Sequence, residues 1–243
     1  MYTYIKLAWR NIWRNKRRTF ITIASVFFAI FLALIMRSFQ LGSYDHMVNN
    51  VVESYTGYIQ IHDKDYWDDK VIDHTFYPYD TLLNKIKQIE NVSLTVPRLE
   101  SFSLAAYGNQ TKGVLLMGVE PEKEEQMTHL KDKVKQGSYL KPGDDGCLIS
   151  GRLASYLKIG INDTLVLIGV GYHGVSANGI FPVRGIISLP SPELDNKMVY
   201  LSLESAQYHF AVDHRLTSLA INLRDPDMLE KTERQLATIL NSD

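Results

Sequence analysis

An acid- and histidine-rich run, His62-Asp63, Asp65, Asp68-Asp69, Asp73 and His74, holds residue types that bind divalent cations. An EF-hand loop places oxygen ligands at alternate positions around a glycine turn, and a zinc helix places two histidines four residues apart. Neither spacing is present, and the run reads as a solvated acidic loop. Glu122, Lys123, Glu124 and Glu125 likewise read as a solvated face. Gly169-Val170-Gly171-Tyr172-His173-Gly174 fits G-x-G-x-x-G and follows a strand-like run, Asp163 to Ile168. A dinucleotide site needs a helix to begin there, its N-terminus facing the pyrophosphate. Val175 to Pro182, with Gly179 and Pro182, instead reads as the return of a hairpin. There is no G-x-S-x-G, no HExxH and no P-loop. Cys147 is the single cysteine, which excludes an internal disulfide and leaves no cysteine partner for a metal; it is expected as a small buried residue. No catalytic, cofactor-binding or metal-ligating residue is expected, and the chain is not expected to be an enzyme.

What must position any other kind of site begins at the N-terminus. Thr19 to Met36 is an uncharged apolar run of ~18 residues, roughly 27 Å as a helix and close to the hydrocarbon thickness of a bilayer. Thr19, Thr22 and Ser25 can return their hydroxyls to the helix's own carbonyls. Lys6, Arg10, Arg14, Lys16, Arg17 and Arg18 precede the run with no acid among them, so the N-terminus is expected in the cytoplasm and the remainder outside. A cleavable signal peptide is the rival reading. It fits less well, because the basic region is long and Leu32 to Gln40 offers no small-x-small cleavage site. Ile5, Trp9, Ile12 and Trp13 recur at helical spacing opposite most of the cations, the pattern of a helix lying in the headgroup plane. Trp9, Arg10, Trp13, Arg14, Lys16, Arg17 and Arg18 are the expected membrane-interface residues.

Seven of the 26 basic residues lie at or before Arg37, while all 27 acidic ones follow it. Residues 38–243 thus hold 19 basic against 27 acidic side chains, a balance that argues against nucleic acid as a partner. In chain order, residues 38–54 continue the membrane helix as a stalk. Strands are expected over Tyr58–His62, Val92–Tyr107 (one or two), Lys112–Val119, Cys147–Ser150, Asp163–Val170, Phe181–Leu189, Met198–Leu201 and Thr217–Leu223. Helices are expected over Pro78–Glu90, Pro121–Val134, Arg152–Leu157, Leu203–Phe210 and Pro226–Leu240. Two βα-type segments flank a mainly β middle. The fold class is therefore α+β: one N-terminal transmembrane helix, then a domain of two subdomains.

The segment KLAWRNIWRNKRRTFITIASV, with Arg10-Asn11 and Arg14-Asn15-Lys16-Arg17-Arg18-Thr19, resembles the opening of ABC transporter permeases of the macrolide-exporter and lipoprotein-releasing superfamily. Further pieces follow in the family's order. Thr56 to His62 with Tyr66, and Gly118-Val119-Glu120-Pro121, are similar to periplasmic strands of that family. Gly137, Tyr139-Leu140, Leu148 to Gly151 and Ile159-Gly160 through Thr164 resemble the start of its inserted subdomain. Ser191 to Asp195 and Tyr200 to Gln207 resemble the return from it.

The resemblance implies a bacterial inner-membrane permease subunit with these parts: a cytoplasmic amphipathic basic helix (1–18), a transmembrane helix (19–37), a stalk (38–55), a periplasmic βα subdomain (56–134 and 190–243) and an inserted mainly β subdomain (135–189). It implies a partner ATPase, a second permease subunit in a homo- or heterodimer, the membrane, and no cofactor on this chain. Family members carry three more membrane helices, including the ATPase contact, so a truncated or shortened relative is expected. Lipoprotein release is the implied cargo class; export of a drug or peptide, and signalling to a cell-wall hydrolase, are the alternatives. In the lipoprotein-releasing relatives a hairpin hooks a periplasmic lipoprotein carrier. Here the corresponding hairpin is short, and Tyr172, His173, Val175, Asn178 and Phe181 are its candidate cargo or carrier contacts.

Overall fold

A computed structural model describes residues 2–51 and 55–240. It divides into two units, residues 1–49 and 50–243. In the first, helix α1 (Tyr2–Arg14) is followed after Asn15 by α2 (Lys16–Val51). Lys16–Gly42 is long and apolar enough to cross a membrane, with none of its apolar window buried. The Thr19, Thr22 and Ser25 hydroxyls donate to the carbonyls of Asn15, Arg18 and Ile21 at 3.2, 3.0 and 2.7 Å, so the polar groups of the run are satisfied within the helix. Helix α2 covers most of the expected stalk; residues 52–54 lie outside the described residues, as does the side chain of Ile12.

The second unit is built on one nine-stranded sheet. Its strands are β1 (Ile59–His62), β2 (Val92–Tyr107), β3 (Gln110–Val119), β4 (Val134–Gly137), β5 (Cys147–Ser150), β6 (Thr164–Val170), β7 (Ser176–Ile187), β8 (Met198–Ser202) and β9 (Ser218–Leu223). The spatial order is β1-β9-β2-β3-β8-β5-β7-β4, with β6 joining β2 to β7. Pairing is antiparallel except β3 with β8 and β5 with β7. The spine is β2, a single strand. Its first half pairs with β9, its second half with β6, and β3 runs along the other edge from Arg98 onward. Strands β4 to β7, from segment 135–189 and its margin, are hydrogen-bonded to strands from both flanking segments.

Helices α3 (Tyr66–Asp69), α4 (Asp80–Lys87), α5 (Pro121–Thr128), α6 (Gly151–Leu157), α7 (Leu203–Phe210) and α8 (Leu229–Leu240) complete the unit. The short α3 and strand β4 were not anticipated, and the helix expected over Pro121–Val134 stops at Thr128. There His129 takes a left-handed conformation and caps the helix through its N–H to the Glu125 carbonyl. Helix α4 buries Leu82 and Ile86 against Leu219, Ile221 and Leu223 of β9 and Leu236 of α8, each such side chain contributing roughly 1.5–3 kcal/mol. The largest core gathers β5, β6 and β7 under α6 and α7, through Leu153, Leu157, Leu165, Leu167, Val183 and Phe210. Cys147 lies in it, fully buried, and burial pushes its thiol up to about 12.

Two of the resembling segments meet in space. The Asp195 carboxylate is buried at the N-terminus of α6, accepting from the N–H groups of Gly151 (3.3 Å), Arg152 (3.2 Å) and Leu189 (2.9 Å). The Ser150 hydroxyl accepts from the Met198 N–H at 3.2 Å. Asp195 thus satisfies two helix-end donors and one donor of the segment that follows β7 at once. Asp195→Ala leaves all three without this acceptor and is expected to lower the unfolding free energy by about 2–4 kcal/mol, read as a urea midpoint shift with the slope unchanged. A loss under ~1 kcal/mol would mean that water replaces the carboxylate.

Candidate functional site

Two places gather polar side chains in ways that packing alone does not require. The first lies at the entry to the sheet. Tyr55 is held by Arg98 and Glu100 of β2, which α5 and β9 brace in turn. Arg98, fully buried on β2, donates through Nη1 to the Tyr55 carbonyl. Its Nε and Nη2 donate to Oε2 and Oε1 of Glu124 on α5, at 2.9 and 2.8 Å. The Tyr55 hydroxyl donates to Glu100 Oε2 at 3.2 Å, and Ser218 Oγ donates to Glu100 Oε1 at 3.0 Å. Burial alone would lower the arginine's affinity for its proton, but the Glu124 carboxylate outweighs it and holds the guanidinium charged. The Tyr55 hydroxyl is pushed far up, by burial first and by Glu100 second, and stays protonated. Glu124 is therefore no part of a solvated face. Glu122 is exposed and Glu125 half-buried, while Glu124 turns inward and meets the Arg98 guanidinium with both carboxylate oxygens.

The second place is the β6–β7 hairpin. Its tip, Tyr172–Gly174, is a turn of 3-10 helix, so the G-x-G-x-x-G run opens no α-helix. A Cβ at Gly171 would stand 2.5 Å from the Phe210 carbonyl, and Gly174 has φ +77°. The glycines thus serve close approach and a left-handed turn. The tip is tied back to the body. His173 N–H donates to Asp73 Oδ1 at 2.6 Å, and the Arg215 guanidinium lies 4.4 Å from the Tyr77 ring centre and 5.2 Å from that of Tyr172. Arg215 Nη1 also donates to the Thr75 carbonyl at 2.8 Å.

Of the candidate contacts, His173, Val175 and Asn178 are exposed, and Tyr172 is half-buried against the core and Arg215. Phe181 is different. Its side chain is buried in the core, 5.4 Å from the His209 ring, and offers no contact surface. Strand parity explains it: Phe181 and Val183 face inward, and Ile180 faces out. In the first unit Trp9, Arg10, Trp13, Arg14, Lys16, Arg17 and Arg18 are all exposed, and the Trp9 and Trp13 rings lie 6.2 Å apart. Asp63, Asp65 and His74 of the acidic run converge within 4.8 Å. His74 Nδ1 lies 3.9 Å from Asp63, and the Asp65 N–H is turned onto Asp63. Sequence reasoning missed Arg98 and Arg215. For Arg98 a signal existed: a lone cation between Val96 and Leu99 in a strand of mostly buried positions.

One helix long and apolar enough to cross a membrane, and a separate unit built on a mixed sheet that carries the β6–β7 hairpin, are the features set against known proteins. The chain belongs to the family described as MacB-like periplasmic core domain, which matches residues 19–239. It stands among the ABC transporter permeases of the macrolide-exporter and lipoprotein-releasing superfamily. It is 26% identical over 158 residues to the lipoprotein-releasing system transmembrane protein LolC of Xylella fastidiosa, covering 62% of this chain and 38% of that protein. It is 22% identical over 228 residues to LolC of Neisseria meningitidis, covering 88% of this chain and 52% of that protein. The chain thus spans about half or less of these curated relatives. Its fold is that of the extracellular domain of the ABC-type transporter YknZ from Gram-positive bacteria, with TM-score 0.53, 14% identity, and coverage of 75% of this chain and 91% of that one. The periplasmic region of MacB from Actinobacillus actinomycetemcomitans also gives TM-score 0.53 and 14% identity, covering 75% and 81%.

Proposed function

We propose that the chain carries the first span and periplasmic domain of an inner-membrane permease subunit whose cargo is a lipoprotein handed to a soluble carrier. In this reading the N-terminus is cytoplasmic, and ATP is hydrolysed on a separate partner subunit. That subunit is engaged through membrane helices beyond residue 243, and a second permease subunit completes the transporter. The exposed Trp9/Trp13 pair and the cations from Arg10 to Arg18 hold the first helix at the headgroup level.

The observation that carries the reading is the grip on Tyr55. Motion reaching Tyr55 is passed directly to β2, the strand that pairs with β9, β3 and β6. The carbonyl, hydroxyl and ring of Tyr55 are all engaged there. Cargo class rests on the LolC relatives, and the exposed hairpin residues His173, Val175 and Asn178 are the proposed carrier contacts.

The test is release of a lipidated substrate from vesicles containing the full-length permease, its ATPase and a soluble carrier. Shortening Tyr172 to Asn178 is expected to abolish transfer to the carrier while ATPase activity and inserted amount persist. Undiminished transfer removes the hairpin from the mechanism. Export of an unlipidated small molecule by the same vesicles, with no lipoprotein released, replaces the cargo assignment.

A further inference from the structure

The end of the β6–β7 hairpin runs past the strand that supports it. Strand β2 accompanies β6 from Val166 to Gly169, whereas β6 and β7 stay paired one step further, at Val170 and Ser176. Beyond that pair the chain turns on its own hydrogen bonds. Gly171 N–H donates to the Val175 carbonyl at 2.6 Å, and Val175 N–H to that of Tyr172 at 3.2 Å. Two strands and a turn are marginal by themselves in water. The turn also holds His173 at φ +53°, a left-handed conformation that persists where the surroundings impose it. The tip therefore depends on groups outside the hairpin.

One such group is Asp73, which accepts from the His173 N–H at 2.6 Å. The other is Arg215, whose guanidinium lies over the rings of both Tyr77 and Tyr172, 4.4 and 5.2 Å from their centres. Arg215 is itself fixed. Its Nη1 donates to the carbonyl of the buried Thr75 at 2.8 Å, and its own carbonyl accepts from Gln207 Nε2 on α7 at 3.1 Å. The next residue, Leu216, exchanges backbone hydrogen bonds with Phe76 at 2.9 and 3.0 Å. A guanidinium can lie against a ring while its edge donates to a carbonyl; a lysine ammonium has no such plane. With Tyr172 engaged by Arg215, its neighbours are left to solvent: the His173 side chain is 74% exposed and Val175 52%.

We infer that Arg215 is a positioning residue: by clamping Tyr172 to the Thr75–Tyr77 segment it fixes the pose in which the hairpin offers His173 and Val175 to the carrier. The inference rests on the proposed role of the hairpin as the carrier contact. It names a residue that touches no carrier itself and acts only through Tyr172.

Hydrogen exchange of the full chain in nanodiscs reads the clamp without any transport. Arg215→Ala should speed exchange of the His173, Gly174 and Val175 amides about tenfold or more, with the amides of β1 and β9 unchanged. Arg215→Lys keeps the charge and the stem and should loosen the tip nearly as much. Tyr77→Phe keeps the ring and should exchange as the wild type does. The second readout uses vesicles holding the full-length permease, its ATPase and a soluble carrier. There Arg215→Ala should raise the carrier concentration for half-maximal transfer about fivefold or more and leave transfer at saturating carrier unchanged. Tip exchange no faster than in the wild type overturns the proposal. So does faster exchange throughout the sheet, which would make Arg215 a matter of stability. Faster exchange at the tip with an unaltered carrier dependence overturns it as well. The variant shortened from Tyr172 to Asn178 then separates the two readings. If it abolishes transfer, the hairpin remains the carrier contact and Arg215 alone is dismissed; if it transfers normally, both fall.

Discussion

Glu124→Ala is expected to be the most damaging single change in the domain, lowering its unfolding free energy by roughly 3–5 kcal/mol. The loss is that of a buried cation left alone. Arg98 keeps its donor to the Tyr55 carbonyl but loses both bonds to carboxylate, in a site where water does not reach it. Glu100 is nearby yet already engaged by the Tyr55 and Ser218 hydroxyls, so it can answer only in part. The double change Arg98→Met with Glu124→Leu removes both charges together and should recover most of the stability, since apolar replacements of a buried pair are often neutral or better. It frees the Tyr55 carbonyl, however, so vesicle transport should stay impaired even where the urea midpoint returns. Equal recovery of both would make the pair a matter of stability alone, and a Glu124→Ala loss below ~1 kcal/mol would mean that water enters and solvates Arg98.

The second large effect is a dependence of stability on pH that traces to His209. The ring is buried, flanked by Phe181 at 5.4 Å and Phe210 at 4.8 Å, and neither nitrogen has a hydrogen-bond partner among the described residues. Burial lowers its pKa from 6.5 to about 4. Above pH 6.5 both folded and unfolded chains hold it neutral, and it adds no slope. Between 6.5 and 4 the unfolded chain takes up a proton that the folded chain refuses, so stability falls as pH falls. Below about 4 both are protonated and the slope ends. The full loss across that window is roughly 3 kcal/mol at most. His209→Phe should flatten this part of the curve and raise stability at pH 7, because two unpartnered nitrogens are removed from an apolar site. Urea unfolding at pH 7.5, 5.5 and 4.5 separates the outcomes: a slope that survives in His209→Phe belongs to other groups.

Much of the architecture could be read from periodicity. The uncharged run Thr19–Met36, the alternation in Thr164–Val170 and the helical faces of α4 and α8 are local patterns, and local patterns report local structure. The glycines and Pro182 were enough to favour a hairpin over a nucleotide loop. What stayed hidden was long-range pairing. Arg98 and Glu124 are 26 residues apart, and Arg215 reaches Thr75 across 140, separations at which a charged residue in sequence looks like any surface charge. In sequence Glu124 looks as solvated as Glu122, Lys123 and Glu125 for that reason. Phe181 failed differently: the hairpin was placed correctly, but the inward or outward sense of its second strand depends on a register that the loop sequence does not reveal.

The seam between β1 and β9 has a consequence for the order in which the protein can be made. Ile59 pairs with Ile221 and His62 with Ser218, so the first strand of the domain waits for the last. At 5–20 residues per second the ribosome needs roughly ten to thirty seconds to deliver that partner. During this interval Ile59 and Ile61 stand on a bare edge, and so does the first half of β2, which pairs with the same late strand. A nascent chain halted before residue 218 therefore holds an open sheet, ready to pair with a neighbouring copy. The newborn protein is most vulnerable to misassembly just before its final strand arrives.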